Sequence, residues 1–348
     1  MGTAATRPAA ACTPMTIAAA LCPVYRQAAI LPALFESICR QSLPLTIVWS
    51  DDCSPDDSYA VLERLIAGYA GPHRMLLRRN AENLGHAQNL FAAMQAVEAE
   101  IYIEFDDDFS VPERAEVLVG ALTAQPGCQL LGSAYRLVGE DGRTTFGSQA
   151  FPTALLQAAD LAAGRRALVV AGHTFAWRSV LRDAFPAPQG RIGSGDFVLA
   201  FRAVLKGGMA FLPQALVDYR QAPESVSRTL LDHGDELADA RRCYAARAAS
   251  WVGLGRQLGL DLAHAVQVLG FDPQLAAALR KRVVAHHLHG AELARRAAAG
   301  SRWRWAQAAA RALPVHGLGG YAARHLLLAT VPALFYGARR LLRWWRQR

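Results

Sequence analysis

The chain has 348 residues, 52% of them hydrophobic and 19% charged, a globular composition long enough for one large domain plus a substantial appendage. Its six cysteines (Cys12, Cys22, Cys39, Cys53, Cys128 and Cys243) show no C-x-x-C spacing, which argues against a disulfide scaffold or a structural zinc and leaves reduced thiols as the expectation. Charge is uneven: residues 1–233 hold 19 Lys+Arg against 23 Asp+Glu, net −4, and residues 234–348 hold 18 against 6, net +12. Any anionic partner therefore meets the C-terminal third.

Residues 1–15 lack a charged start followed by a continuous apolar core and read as a disordered lead rather than a signal peptide. From Thr16 onward the pattern alternates: strand 16–22, helix 28–41 with Pro32 in its opening turn, strand 45–50, helix 58–69, strand 74–79, helix 85–99 and strand 100–105. This order predicts an α/β fold with a mostly parallel sheet and helices on both faces. The next stretch is less regular and more antiparallel. Strands are expected at 129–137 and 167–177, a hairpin turn at 139–143, a helix at 197–205, a short strand at 209–212 and a polar connector at 219–227. Beyond about residue 234 the composition turns to Ala, Leu, Arg and His with helical periodicity, broken at Pro273, near Gly300 and at 314–320. The expected division is thus a lead (1–15), an α/β domain (16–233) and a basic helical region (234–348).

The strand 100–105 stops at Asp106, Asp107 and Asp108, and ligands in open α/β sheets gather outside the carboxyl ends of strands. Clustered carboxylates there suit Mg²⁺ or Mn²⁺, which commonly bridges acid side chains to a diphosphate; a solvated acidic turn or a helix N-cap ahead of Pro112 is the bland alternative. A second acidic cluster follows the strand 45–50, where Asp51 and Asp52 are placed to accept hydrogen bonds from a nucleobase or ribose, whereas Asp56 and Asp57 serve equally well as turn and capping residues. Pro23 extends the backbone ahead of Tyr25, whose ring offers a stacking face or fills a core. Asn83 and Gly85 lie in a polar strand-to-helix turn whose free N–H groups suit an anion, although the spacing of a Walker loop is absent.

In order, Pro23-Val24-Tyr25, Ser50-Asp51-Asp52-Cys53-Ser54 with Asp56, Asn83-Leu84-Gly85, Asp106-x-Asp108 and Gly195-Asp196 resemble the motifs of family 2 glycosyltransferases, inverting enzymes of the GT-A fold. The resemblance covers about residues 16–227 and implies a Rossmann-like mixed sheet flanked by helices, with the C-terminal α-helical appendage outside it. By the same resemblance Tyr25 and Asp51 or Asp52 hold the base of a nucleotide-sugar donor. Asp106 contacts ribose or sugar and shares a Mg²⁺ or Mn²⁺ with Asp108, the direct ligand, while Asp107 is a spacer turned away from the metal. Asp196 is the general base, and Gly195 departs from the family's glutamate, which puts an acceptor contact in doubt.

His173 follows an apolar run, where it touches acceptor or diphosphate or serves structurally; Arg220, Ser225 and Ser227 resemble a loop that closes over the diphosphate. The processive Q-x-x-R-W motif is absent, which favours transfer of one or a few sugars. Residues 325–346 combine an apolar stretch of about 13 residues with Trp and Arg, too short to span a bilayer but suited to an anionic leaflet; an ordinary packed helix is the alternative. No nucleic-acid reader motif accompanies the charge. The expectation is a cytoplasmic enzyme, peripheral at the inner face of the membrane, that acts on a saccharide or lipid-linked acceptor in envelope polysaccharide assembly. The competing readings are a non-catalytic glycosyltransferase-like scaffold and a sugar-1-phosphate nucleotidyltransferase; for the latter the early Gly-rich loop with a following Lys is missing.

Overall fold

The computed structural model describes residues 16–139, 144–146, 153–168, 170–220, 237–298, 303–307 and 309–310. The lead, Ser225, Ser227 and the C-terminal stretch 325–346 lie outside these residues.

Strands β1 (Thr16–Val24), β2 (Thr46–Asp51), β3 (Arg74–Arg79) and β4 (Ala99–Glu104) alternate with helices α1 (Leu31–Cys39), α2 (Ser58–Ala67) and α3 (His86–Gln95). The four strands are parallel, in the order β3-β2-β1-β4. Period-2 alternation sends their side chains into two separate cores. Ala19, Leu21, Val48 and Tyr102 pack with α3, whereas Ala18, Ala20, Ile47, Trp49 and Ile103 pack with Phe35 and Leu62 of α1 and α2. Both faces of β1 are buried, so its run of small alanines lets helices approach from either side. Pro32 sits in the first turn of α1, where no intrahelical N–H is needed.

After Glu104 the sheet becomes mixed. β5 (Phe109–Ser110) leads into α4 (Arg114–Ala124), β6 (Leu130–Val138) and β7 (Thr144–Phe146). α5 (Ala158–Ala163), a 3-10 turn (Gly172–Thr174), β8 (Ala176–Arg178), α6 (Val180–Asp183), α7 (Gly195–Lys206) and β9 (Met209–Arg220) complete the domain. β8 runs antiparallel between β4 and β6, β9 is parallel to β6, and β5 pairs antiparallel with β9. β6 and β7 are antiparallel partners on either side of the expected hairpin turn.

Two expectations need correction. The strand expected at 167–177 is confined to Ala176–Arg178, because the backbone at 171–175 closes into a turn with N–H bonds from Thr174 to Ala171 and from Phe175 to Gly172. The strand expected to end at 212 runs to Arg220. Its pairing partner jumps from Leu212 (opposite Ser133) to Ala215 (opposite Ala134), so Pro213 sits in a bulge where its missing N–H breaks no ladder bond.

The basic region forms α8 (Leu237–Val268), α9 (Pro273–Leu279), a π-helical turn (Arg280–Val284) and α10 (Ala285–Ala298). Leu254, Leu258, Leu262, Leu279 and Val284 join the same core as α3 and α7. The buried pair Arg202–Asp261, 2.8 Å apart, ties α7 to α8. No helix among the described residues is long and apolar enough to cross a membrane.

Candidate active site

The carboxyl ends of β1, β2, β4 and β9 open at one edge of the sheet, and the sequence motifs meet there. Behind β1, the backbone N–H groups of Arg26, Gln27 and Ala28 donate to Ser54 Oγ, Ser58 Oγ and Asp56 Oδ2 at 3.1, 2.9 and 3.3 Å. The loop after β2 thereby fixes the loop carrying Tyr25, whose side chain stays 44% exposed. Pro23, opposite Ser50, is still within the β1–β2 ladder.

Asp51 and Asp52 have different surroundings although they are adjacent. Asp51 Oδ2 accepts from Ser54 N–H at 3.1 Å and forms an ion pair with Arg79, its Nε 3.1 Å away. Its buried Oδ1 has no hydrogen-bond partner among the described residues. Asp52 is spent within the chain: Oδ1 accepts from Asn80 Nδ2 at 2.7 Å and Leu84 N–H at 2.9 Å, and Oδ2 accepts from Gly85 N–H at 2.8 Å. Asn83 Nδ2 adds a 3.3 Å bond to the Asp52 carbonyl. The turn at Asn83 and Gly85 is thus clamped to β2, and Gly85, at φ +86°, takes a backbone conformation that side chains disfavour as it starts α3.

That start aims His86 at the acidic edge. His86 Nε2 lies 3.2 Å from Asp106 Oδ2 and 3.5 Å from Glu104 Oε1. The three ligand atoms fall within 4.8 Å of one another. Burial alone would depress the His86 pKa, but Asp106, Glu104 and Asp196 hold it up at about 10. Glu104 is pushed up to about 8 by burial, with Asp106 and Asp196 adding to the rise against the pull of His86. Asp106 moves the other way: burial would raise it, and His86 and His173 hold it low. Burial raises Asp107 to about 6, with Asp106 reinforcing the shift, and raises Asp108 to about 8, with Asp107 and Asp106 reinforcing it.

Asp108 is buried, and its Oδ1 accepts the backbone N–H of Arg220 at 2.8 Å. Arg220 ends β9 beside the cluster, its guanidinium 5.8 Å from the Phe109 ring. Below lies Arg114, fully buried, which donates to Ser110 Oγ at 2.9 Å and to the carbonyls of Glu104 and His173 at 2.7 Å each. It fixes the backbone on both sides of the acidic edge. His173 stacks on Tyr219 (centroids 4.6 Å apart) and meets Tyr135 edge-on at 4.8 Å. Burial and the Arg114 charge lower its pKa to about 4.

Asp196 stands in the first turn of α7, where Ser194 caps the helix by accepting Phe197 N–H at 3.3 Å. Phe197 N–H also donates to Asp196 Oδ1 at 2.8 Å, and Ser194 Oγ donates to the same oxygen. The adjacent Gly195 has a steric reason: a Cβ there would lie 3.2 Å from Cα and Cβ of Ala87 in α3.

Sequence reasoning missed His86, Glu104 and Arg114 as members of the site. The available signal was Glu104 itself, an acid inside an alternating apolar strand.

Carboxylates at the strand ends, a Gly-led helix start and an acid leading α7 define a GT-A type α/β protein. Residues 20–187 match the profile of Glycosyl transferase family 2. Among solved structures, residues 1–349 of S. aureus TarS, determined in complex with UDP-GlcNAc, superpose with a TM-score of 0.52 at 16% identity, covering 86% of this chain and 88% of that one. A mannosyltransferase from Pyrobaculum calidifontis, PcManGT, in complex with GDP-Man and Mn²⁺, superposes with a TM-score of 0.50 at 19% identity, covering 92% of this chain and 88% of that one. At such identities the likeness carries the fold. No curated protein matches the sequence.

Proposed function

We propose that the chain is a metal-dependent inverting glycosyltransferase that moves a sugar from a nucleotide-sugar donor to a saccharide or lipid-linked acceptor. The observation that carries this reading is the electrostatic proximity of Asp196, on a helix of its own, to the His86–Glu104–Asp106 group at the end of β4. Inverting transfer needs two separated functions: a group that draws a proton from the acceptor hydroxyl, and a pole that offsets charge on the departing diphosphate. Asp196 takes the first role, and the acidic edge frames the second.

Tyr25 and Asp51 hold the base, the latter through a buried oxygen that lacks a partner among the described residues. Asp52 acts indirectly: by accepting the N–H groups of Leu84 and Gly85 it fixes the Asn83–Gly85 turn beside the donor. The donors named in the TarS and PcManGT structures support a nucleotide sugar as the donor class, and the Mn²⁺ in the second supports a divalent cation.

The residues fit such an ion. Glu104, Asp106, Asp107 and Asp108 interact electrostatically, and burial with mutual repulsion pushes the carboxyls of Glu104 and Asp108 up to about 8. When bound, Mg²⁺ or Mn²⁺ supplies Lewis-acid offset of charge on the diphosphate. Asp106 is a ligand, with Asp108 beside it. His173, Arg220, Ser225 and Ser227 line the acceptor side or close over the diphosphate. We further propose a cytoplasmic enzyme, peripheral at the inner face of the membrane through residues 325–346, serving envelope polysaccharide assembly.

Purified protein incubated with a panel of nucleotide sugars, with Mn²⁺ or with chelator, tests the reading. Metal-dependent donor binding and slow donor hydrolysis are expected; a glycosyltransferase-like scaffold shows neither. Asp196→Asn should keep donor binding and lose transfer, and normal transfer by that variant overturns the base assignment.

A further inference from the structure

The buried strand β4 carries one side chain that its apolar pattern does not call for. Glu104 is 1% exposed and its Oε2 has no hydrogen-bond partner among the described residues, an arrangement that costs free energy unless something else satisfies the carboxylate. Its other oxygen faces an imidazole, and that imidazole faces Asp106.

We infer that His86, Glu104 and Asp106 form a mixed nitrogen and oxygen site for a divalent transition-metal cation, selective for Mn²⁺ over Mg²⁺. The inference rests on the metal-dependent reading above and deepens it by naming the ligands and the kind of ion. Around an ion with bonds of about 2.1 Å, neighbouring ligand atoms of an octahedral shell stand about 3.0 Å apart. The separations here, 3.2 Å from His86 to Asp106 and 3.5 Å from His86 to Glu104, lie near that spacing, and all three ligand atoms fall within 4.8 Å of one another.

The scaffold is built to keep these atoms together. Asp52 holds the N–H groups of Leu84 and Gly85, which sets the start of α3 and with it His86. Arg114 holds the Glu104 carbonyl, which sets the end of β4. Three protein ligands would leave room on such an ion for water and diphosphate oxygens. An imidazole in the set distinguishes between ions, because nitrogen ligands suit first-row transition metals whereas Mg²⁺ prefers oxygen and water. Asp108 stands outside the triad, with its Oδ1 committed to the Arg220 N–H.

The test is pulsed electron paramagnetic resonance of Mn²⁺ bound to the full chain, recorded with and without UDP or GDP. The wild type should show nitrogen modulation from a coordinated imidazole. His86→Gln should abolish it and weaken Mn²⁺ binding tenfold or more, with a much smaller effect on Mg²⁺; Glu104→Gln should weaken Mn²⁺ binding while retaining the nitrogen signal. The wild-type spectrum alone decides ligation by nitrogen, so the outcome survives a variant that fails to fold. Bound Mn²⁺ without nitrogen modulation overturns the site and leaves the metal-dependent reading standing on other ligands. No Mn²⁺ binding, together with transfer that persists in chelator, overturns both and leaves His86 as a fixed cation paired with Asp106.

Discussion

Gly172 and Asp196 stand back to back: a Cβ built on Gly172 falls 2.7 Å from Asp196 Cβ and 3.0 Å from its Oδ2. The 3-10 turn ahead of β8 therefore forms the wall against which the proposed base rests, and only a glycine leaves that wall open. Gly172→Ala should push the carboxylate aside by about an ångström. A displacement of that size typically costs about 10²-fold in rate. The expected result is a kcat lower by roughly that factor with donor affinity nearly unchanged, measured by steady-state transfer beside donor titration; a variant with wild-type kcat separates Gly172 from the placement of Asp196.

Asp52 offers a second check, on the donor side. Both its oxygens accept backbone N–H groups from the Asn83–Gly85 turn, and Asn80 Nδ2 shares one of them. Asp52→Asn preserves shape but turns an amide NH₂ toward a donor that needs an acceptor. Leaving a buried N–H in that state costs about 1–3 kcal/mol. Urea unfolding should show a loss of that size, and donor binding should weaken more than kcat falls, because the turn rather than the base is disturbed.

The element order of β1 to β4 was readable because each strand is a period-2 run bounded by polar turns, and burial on both faces keeps such runs apolar. β9 continues past Pro213, although a proline normally ends a central strand, because the bulge opposite Ser133 and Ala134 accommodates it. The run before Trp177 is apolar as well, yet the strand there is confined to Ala176–Arg178 because the backbone at 171–175 closes into a turn. In the site, each acid was visible as a strand-end residue, but its partner was not. His86 and Glu104 meet only because α3 starts beside the end of β4, and Gly195 is explained only by Ala87 on a neighbouring helix. Contacts between elements are set by packing, which one strand's periodicity does not encode.

The packing of α7 against α8 is testable through its buried charges. Arg202 donates to both oxygens of Asp261 at 2.8 and 2.9 Å and to the Pro186 carbonyl at 2.7 Å, and its guanidinium lies 4.9 Å from the Phe185 ring. Asp261→Ala leaves that charge buried without a counterion, which costs about 3–5 kcal/mol. Replacing both residues by apolar ones of similar volume should recover most of the loss. Urea midpoints for the single and double variants decide it, and a single variant as stable as the wild type removes this pair from the forces joining the two helices.

His287 couples the same interface to pH. Its ring meets Phe197 edge-on at 4.5 Å and Trp251 at 6.2 Å, and Nδ1–H donates to the Val283 carbonyl at 2.9 Å. Burial lowers its pKa to about 4, with the neighbouring His286 adding to the shift, against about 6.5 for an unfolded histidine. The folded value lies below the unfolded one, so between them the unfolded chain binds more protons and stability rises with pH. The contribution is complete above about pH 6.5 and is lost as pH falls toward 4, on the order of 3 kcal/mol over the whole window. His173, also lowered to about 4, shifts stability in the same direction. The His287 share is isolated by His287→Phe, which keeps an aromatic ring against Phe197 but does not titrate. Its stability should fall less steeply than the wild type's between pH 6.5 and 4 in urea unfolding, and parallel slopes would place the acid sensitivity elsewhere. Because Phe197 follows Asp196 in α7, protonation of His287 should also loosen the helix that carries the proposed base, so the acid limb of transfer activity should move to lower pH in His287→Phe.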